Sequence, residues 1–334
     1  MSKRELAEAG EKNVEEALPA AFCVSGRTMH SSGKSLLSKG RKETREFKGV
    51  YQMSSSLDEI TAGQVHAGKL YCVIGQPIAH SLSPLLHNTA LKELGMAGCY
   101  QAVEVAKEEL AGFFSVMRSK PIAGCNITLP HKVDAMAYVD ETTPRARLVG
   151  AINTVYWKDG RLVGENTDVT GFAAPLRGRM FSHALVLGAG GVSRAAIAAL
   201  KELKVPTISL SNRTGEKAVR MAQEFGIAQV PWEERGAVDC DLVINATSLG
   251  MKGKNEAASP VDEAFFSRRQ GLAYDIIYTP EKTVFLQQAE RHGWRIQSGL
   301  AMFVEQGRAT FKLWTGVDMP SEPAYACITS ALEG

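Results

Sequence analysis

From residue 70 onward the apolar positions switch between two periods: short runs typical of buried strands, and the three-to-four spacing of amphipathic helices. Leu70–Ile74, Tyr100–Val105 and Ile122–Ile127 read as strands, with helices between them at Ser83–Leu94, opened by Pro84, and at Glu108–Ser119. Lys132–Ala137 starts a further helix. Ala151–Trp157 and Arg161–Gly164 form a hairpin that turns at Lys158-Asp-Gly160. A second alternating block has strands at Ala184–Leu187, Thr207–Leu210, Asp241–Asn245, Leu272–Ile276 and Trp294–Gln297, and helices at Arg194–Leu200 and Ala301–Thr315. Such alternation predicts an α/β fold with parallel sheets in both blocks and a cleft between them. The expected division is an appendage at 1–68, one α/β domain at 69–172, a second at 173–299, and a helical segment at 300–334 that packs back on the first domain.

Residues 1–68 have a different texture. Ser, Gly, Lys and Arg concentrate between Ser25 and Lys48, and only Glu5–Leu18 shows helical spacing. This segment is read as an appendage, partly disordered or docked on the main body.

Composition narrows the class without naming a chemistry. A chain of 334 residues exceeds what one core usually supports, roughly 250–300 residues, so two domains are expected. Hydrophobic content of 45% and charged content of 22% are those of an ordinary globular protein. The first 70 residues hold 11 Lys/Arg and 9 Asp/Glu, leaving 27 of each, so nothing suggests a nucleic-acid surface. No apolar run approaches the roughly 20 residues that span a bilayer. The six cysteines lie far apart with no CxxC and no metal-like spacing, which favours reduced thiols and a cytoplasmic compartment. Glu5, Glu8, Glu11, Glu15 and Glu16 argue against a secretory signal and fit an organelle transit peptide poorly.

Chemistry enters at Gly188-Ala189-Gly190-Gly191-Val192-Ser193, which lies between a strand and a helix start. Glycines there let the backbone approach a pyrophosphate, whose charge meets the helix N-terminus. An acid at the end of the next strand would suit the ribose hydroxyls of NAD. Here that strand ends at Asn212-Arg213-Thr214, with Lys217 a turn further on, and two cations suit the 2′-phosphate of NADP. The second domain is therefore read as a Rossmann-like NADP domain.

In the first block, four polar segments sit beside strand ends: Ser81-Leu-Ser83, Asn126-Ile-Thr128-Leu-Pro130-His-Lys132, Asn153-Thr154 and Asn166-Thr-Asp168. Together they offer hydroxyls and amides for a hydroxylated ring, one ammonium and one carboxylate. Each also has a structural reading. Ser81 or Ser83 could cap the helix before Pro84, Asn153 and Thr154 could satisfy turn backbone, Asp168 could cap a helix, and Lys132 could be a solvated helix start.

With Gly150-Ala-Ile-Asn153-Thr, Asn245-Ala-Thr-Ser-x-Gly250 and Gln306-Gly307 added, these motifs resemble shikimate dehydrogenase, in that family's order, over roughly residues 69–334. The resemblance implies reversible reduction of 3-dehydroshikimate by NADPH to shikimate, a step of chorismate and aromatic amino acid biosynthesis. It implies Lys132 for proton transfer with Asp168 as partner, and Ser81 and Ser83 on the ring carboxylate with Tyr278 nearby. Thr128, Asn153, Asp168 and Gln306 would bond the ring hydroxyls. Gly188, Ala189, Gly190, Gly191 and Val192 would wrap the pyrophosphate, and Asn212, Arg213, Thr214 and Lys217 the 2′-phosphate. Thr247, Ile276 and Gly299 would line the nicotinamide side. Whether Lys132 donates the proton or chiefly stabilises charge stays open.

The chain departs from the family pattern at Val169 and Ala301, where glycine is more usual. Tyr278-Thr-Pro280 resembles the branch fused behind a type I dehydroquinate dehydratase, and Ser56–Gln64 weakly resembles the end of that partner. A quinate enzyme is the nearest alternative, and a non-catalytic NADP-binding regulator is another. The expected partners are the small-molecule substrate and a monomeric or homodimeric state, with neither nucleic acid nor membrane. His87 and His292 read as ordinary helix residues.

Overall fold

In Tyr71–Ile74 both faces of a strand are apolar, and such a strand needs covering on both sides. In the computed structural model, which describes residues 54–56, 68–253, 255–268 and 270–333, it lies within a seven-stranded sheet. The first block runs β1 (Ser54–Ser56), β2 (Lys69–Gly75), α1 (Ser83–Glu93), β3 (Gly98–Glu104), α2 (Leu110–Ser119) and β4 (Ile122–Ile127). It continues with β5 (Glu141–Thr142), α3 (Pro144–Val149), β6 (Thr154–Lys158), β7 (Arg161–Glu165) and α4 (Asp168–Ala173). The expected helix at Glu5–Leu18 and most of the dehydratase-like stretch at Ser56–Gln64 lie outside the described residues.

The sheet order is β1-β3-β2-β4-β6-β7-β5. It is mixed, where the alternation of elements predicts a parallel one. The β6/β7 hairpin, whose turn residues Asp159 and Gly160 adopt φ of 51° and 75°, lies antiparallel to β4. A tight hairpin must reverse direction, so one of its strands has to run against the sheet. The resulting register sets Asn126 opposite Thr154.

The second block contains β8 (His183–Leu187), α5 (Gly191–Glu202), β9 (Thr207–Ser211), α6 (Gly215–Phe225), β10 (Ala228–Gln229) and β11 (Leu242–Asn245). It ends with β12 (Leu272–Asp275), α7 (Val284–Arg291) and β13 (Arg295–Gln297). All pairings are parallel, in the order β10-β9-β8-β11-β12-β13. That is the doubly wound dinucleotide-binding order, with its switch point between β8 and β11, where ligands bind beyond the strand C-termini.

Two helices close the chain: α8 (Leu300–Thr315), one residue longer at its start than expected, and α9 (Ser321–Glu333). Val304, Phe311, Ala324 and Ile328 share a core with Tyr71, Val73, Leu86 and Tyr100, so both helices return to the first sheet. Trp314 of α8 stacks on Tyr71 at 4.9 Å and donates Nε1–H to the Val155 carbonyl at 3.0 Å. Burying one such aromatic contributes about 2 kcal/mol. At the junction of the two sheets, α4 packs on α8. A Cβ on Gly171 would stand 2.5 Å from the Met302 carbonyl oxygen, so only glycine permits this approach. Phe172, beside it, stacks on Tyr274 of β12 at 4.7 Å.

Candidate active site

A cavity of about 340 Å³ opens between the two sheets. Ser81, Ser83, Thr128, Lys132, Asn153 and Asp168 line it from the first block. Val192, Ile276, Tyr278, Gly299 and Gln306 line it from the second block and α8. Those eleven residues, far apart in sequence, are brought together around one cavity. Gly188–Gly191, Asn212–Lys217 and Thr247 lie outside this lining, at the C-terminal ends of β8, β9 and β11.

Lys132 does not begin an α-helix. It sits in a turn, and Asp134–Tyr138 follows as a short 3-10 helix. Only Ala135 is buried in that helix, so no apolar face holds a longer one against the sheet. The Lys132 carbonyl accepts from Ile152 N–H at 2.8 Å, which ties the turn to the hairpin approach. Its Nζ donates to Asp168 Oδ2 at 2.7 Å, with the lysine and aspartate side chains 27% and 13% exposed. The pair is thus open to the cavity while largely screened from solvent.

Asp168 begins α4, and its other oxygen, Oδ1, accepts from Asn153 Nδ2 at 2.9 Å. The orientation of Asn153 follows from its far side. The Thr167 backbone N–H stands 2.7 Å from Asn153 Oδ1, and an N–H faces only an acceptor. The NH2 group of Asn153 must therefore face Asp168. Ammonium, carboxylate and amide form one chain of charge-assisted bonds ending in the cavity.

Ser81 and Ser83 flank Leu82, which holds the N-cap position of α1 and makes no side-chain capping bond. Ser81 Oγ accepts the Ser83 N–H at 3.3 Å, and both residues face the cavity. Gln306 on α8 donates Nε2–H to the Phe303 carbonyl at 2.8 Å. Tyr278 packs on the Phe303 ring, centroids 5.2 Å apart, and burial pushes its phenol up from the ordinary tyrosine value.

On the second sheet, Gly188 has a φ of +112°, and a Cβ there would meet the Ala246 carbonyl oxygen at 2.6 Å. No other residue fits this turn. Ala189 N–H donates to Asn212 Oδ1 at 3.1 Å and Gly190 N–H to Ser193 Oγ at 3.2 Å, which fixes the loop at the N-terminus of the 12-residue α5. Gly190 and Gly191 are exposed, with open space where side chains would project. Asn212 is committed to this scaffold, since its Nδ2 also donates to the Thr214 carbonyl at 2.9 Å. Thr247 is engaged too, donating to Asn245 Oδ1 at 2.7 Å. Arg213 and Lys217 are exposed and form no ion pair among the described residues. A helix N-terminus, an open glycine turn and two unpaired cations fit a dinucleotide carrying an extra phosphate.

Comparison with known proteins gives the same reading. The family model "Shikimate dehydrogenase substrate binding domain" matches residues 73–155, and "Shikimate 5'-dehydrogenase C-terminal domain" matches residues 299–326. The NADP(+) shikimate dehydrogenase of Oleidesulfovibrio alaskensis is 48% identical over 267 residues, 79% of this chain and 96% of that protein. The chain belongs to the shikimate dehydrogenase family. A Thermus thermophilus shikimate 5-dehydrogenase, solved in complex with NADP(H) and shikimate, is 39% identical, with a TM-score of 0.73 over 79% of this chain and 100% of that one. A quinate dehydrogenase from Corynebacterium glutamicum in complex with NAD shares the fold, with a TM-score of 0.74 at 24% identity over 79% of this chain and 99% of that one.

Within this family framework the structure adds residues that the motifs left without a role. Tyr100 donates its hydroxyl to Asn126 Oδ1 at 2.8 Å, beneath the cavity. His87 is no ordinary helix residue. It is 1% exposed and stacks on Tyr100 at 4.4 Å, and burial lowers its imidazole pKa to about 3. Thr310 lies four positions after Gln306, a spacing that puts both on one helix face and could have flagged it.

Proposed function

We propose that this chain catalyses the reversible reduction of 3-dehydroshikimate to shikimate with NADPH. The observation that carries the reading is the Lys132–Asp168 pair, 2.7 Å apart and facing a cavity whose other wall is the dinucleotide-binding block. NADPH supplies a hydride when bound, and Gly188, Ala189, Gly190, Gly191 and Val192 would hold its pyrophosphate, with Arg213, Thr214 and Lys217 at the 2′-phosphate. Asn212 and Thr247 would act by holding the loops around it, and Ile276 and Gly299 would face the nicotinamide.

Reduction of a ketone leaves negative charge on oxygen, and the Lys132 ammonium meets it by giving up a proton. Asp168 holds the ammonium by accepting from it, and Asn153 holds Asp168. Ser81 and Ser83 offer hydroxyl donors to the ring carboxylate, with Tyr278 beside them. Thr128, Asn153 and Gln306 offer partners to the ring hydroxyls. In the reverse direction the neutral lysine takes the hydroxyl proton as the alcohol is oxidised to the ketone.

The domain limits follow from the same reading: substrate-binding at 69–172, NADP-binding at 173–299, and the returning helices at 300–334. Tyr278-Thr-Pro280 supports placement in the dehydratase-fused branch. Cys72, Cys125 and Cys327 are free thiols, which supports a cytoplasmic compartment, and we read the assembly as monomer or homodimer. No helix among the described residues is long and apolar enough to cross a membrane.

Initial rates with shikimate and quinate, each paired with NADP+ and NAD+, test the proposal. Shikimate with NADP+ is expected to be the fastest pair. Faster quinate turnover with NAD+ would replace it with the quinate reading, and binding without turnover would leave a regulator.

A further inference from the structure

Three threonines from distant parts of the chain meet beneath the Lys132–Asp168 pair. Thr154 opens β6, Thr167 precedes α4, and Thr310 lies on α8. Thr310 Oγ1 is 2.9 Å from Oγ1 of both other threonines, which are themselves 3.2 Å apart. All three are at most 1% exposed, so bulk water does not replace these bonds. Asn126 Nδ2 approaches the group at 3.1 Å from Thr154 and 3.4 Å from Thr310.

Counting donors shows what Thr310 does. Asn153 Oδ1 has two lone pairs and three donors within reach: the Thr167 N–H at 2.7 Å and the Thr154 and Thr167 hydroxyls at 3.1 Å each. The N–H takes one lone pair and one hydroxyl takes the other. The remaining hydroxyl has Thr310 Oγ1 as its nearest acceptor, closer than the other threonine. An apolar side chain at 310 would leave two buried hydroxyls to compete for Asn153 Oδ1 or to close on each other across the longer gap. Either change turns the amide whose opposite end holds Asp168.

We propose that Thr310 is a positioning residue for the proton-transfer pair, setting the Asn153 amide and through it Asp168 and Lys132. Its bonds to Thr154 and Thr167 also tie α8, which carries Gln306 one turn earlier, to the first block. The inference rests on the function proposed above and deepens it.

The test compares the wild-type chain with Thr310→Val, of nearly the same shape, and Thr310→Ser, which keeps the hydroxyl, in shikimate oxidation by NADP+. Absence of turnover by the wild type defeats the functional reading itself and is seen before any variant is made. Given turnover, Thr310→Val is expected to lower kcat about tenfold through misorientation, with KM for shikimate changed less than about threefold. Its kcat–pH profile is expected to shift, and Thr310→Ser to recover kcat to within about twofold of wild type. A Val variant with wild-type kcat and pH profile overturns the inference, whatever its melting temperature. So does a kcat loss that serine does not recover, which would mark a packing role. If the Val variant fails to fold, Thr310→Cys is judged by the same kcat and pH criteria.

Discussion

Asn153 presents its Nδ2 to Asp168 at 2.9 Å because the Thr167 backbone N–H, 2.7 Å away, claims the opposite oxygen. The carboxylate is therefore held between an amide and the Lys132 ammonium, and both of its oxygens are occupied. A donor at position 153 is required, and the side chain's shape alone does not suffice. Asn153→Asp keeps the shape and sets a second carboxylate against Asp168. It is expected to lower kcat/KM by about 100-fold or more, and by more than Asn153→Ala does, because like charges at this distance repel in a half-buried site. Equal losses in the two variants, read from initial rates, would count against the repulsion and for simple loss of a contact.

The proposed 2′-phosphate site makes cofactor choice depend on Arg213. The guanidinium is exposed and unpaired among the described residues, at the end of the strand where an NAD enzyme would place an acid. Arg213→Ala is expected to raise KM for NADP+ by about 10- to 100-fold, the loss of one charge-assisted contact, while leaving KM for NAD+ within about twofold. A parallel rise for both cofactors would place the residue in loop folding instead.

Asp275 gives a pH dependence of stability. It is 0% exposed and accepts from Thr283 Oγ1 at 2.6 Å, Ile277 N–H at 3.0 Å and Asn245 Nδ2 at 3.1 Å. Burial outweighs these three donors and raises its pKa to about 6 from 3.8. An acid whose folded pKa is raised binds more protons folded than unfolded, so its contribution is full below about pH 4 and is lost as pH rises through about 6. The amount is on the order of 3 kcal/mol. Urea midpoints of wild type and Asp275→Asn between pH 4 and 8 check this. The wild type is expected to lose stability relative to the variant as pH rises, and parallel curves would contradict the sign.

Gly171 sets two opposing effects against each other. Alanine is the better helix former by about 1 kcal/mol. At this position, however, its Cβ would press on the Met302 carbonyl oxygen at 2.5 Å and on Gln306 Cβ at 2.8 Å, both on α8. Overpacking of this kind costs about 1–3 kcal/mol, so Gly171→Ala is expected to lower the melting temperature and raise KM for shikimate through Gln306. A higher melting temperature would show that α8 yields.

The features legible in the sequence are those made by neighbours along the chain. The Gly188 turn, the Ser81-Leu-Ser83 step, the hairpin at Asp159-Gly160 and the cation pair at Arg213 and Lys217 each follow from a few adjacent residues. Lys132 stands out in the sequence as a chemical group, yet its neighbourhood predicts an α-helix, because nothing local reveals that only Ala135 is buried there. The mixed character of the first sheet depends on which strand the hairpin joins, a choice no local pattern records. Thr310 meets Thr154 and Thr167 across 156 and 143 positions, and Tyr100 reaches Asn126 across 26. Such contacts exist only once α8 has returned to the first sheet, so the network beneath the pair is invisible in the unfolded order of residues.

The central claim is that Lys132 supplies the proton. The direct measurement is steady-state reduction of 3-dehydroshikimate by NADPH with Lys132→Met, together with the dissociation constant for shikimate. Removing a general acid is expected to lower kcat by about 100- to 10,000-fold, with binding changed less than about tenfold. A variant that binds poorly yet turns over within about tenfold of wild type would make Lys132 a binding residue and contradict the account.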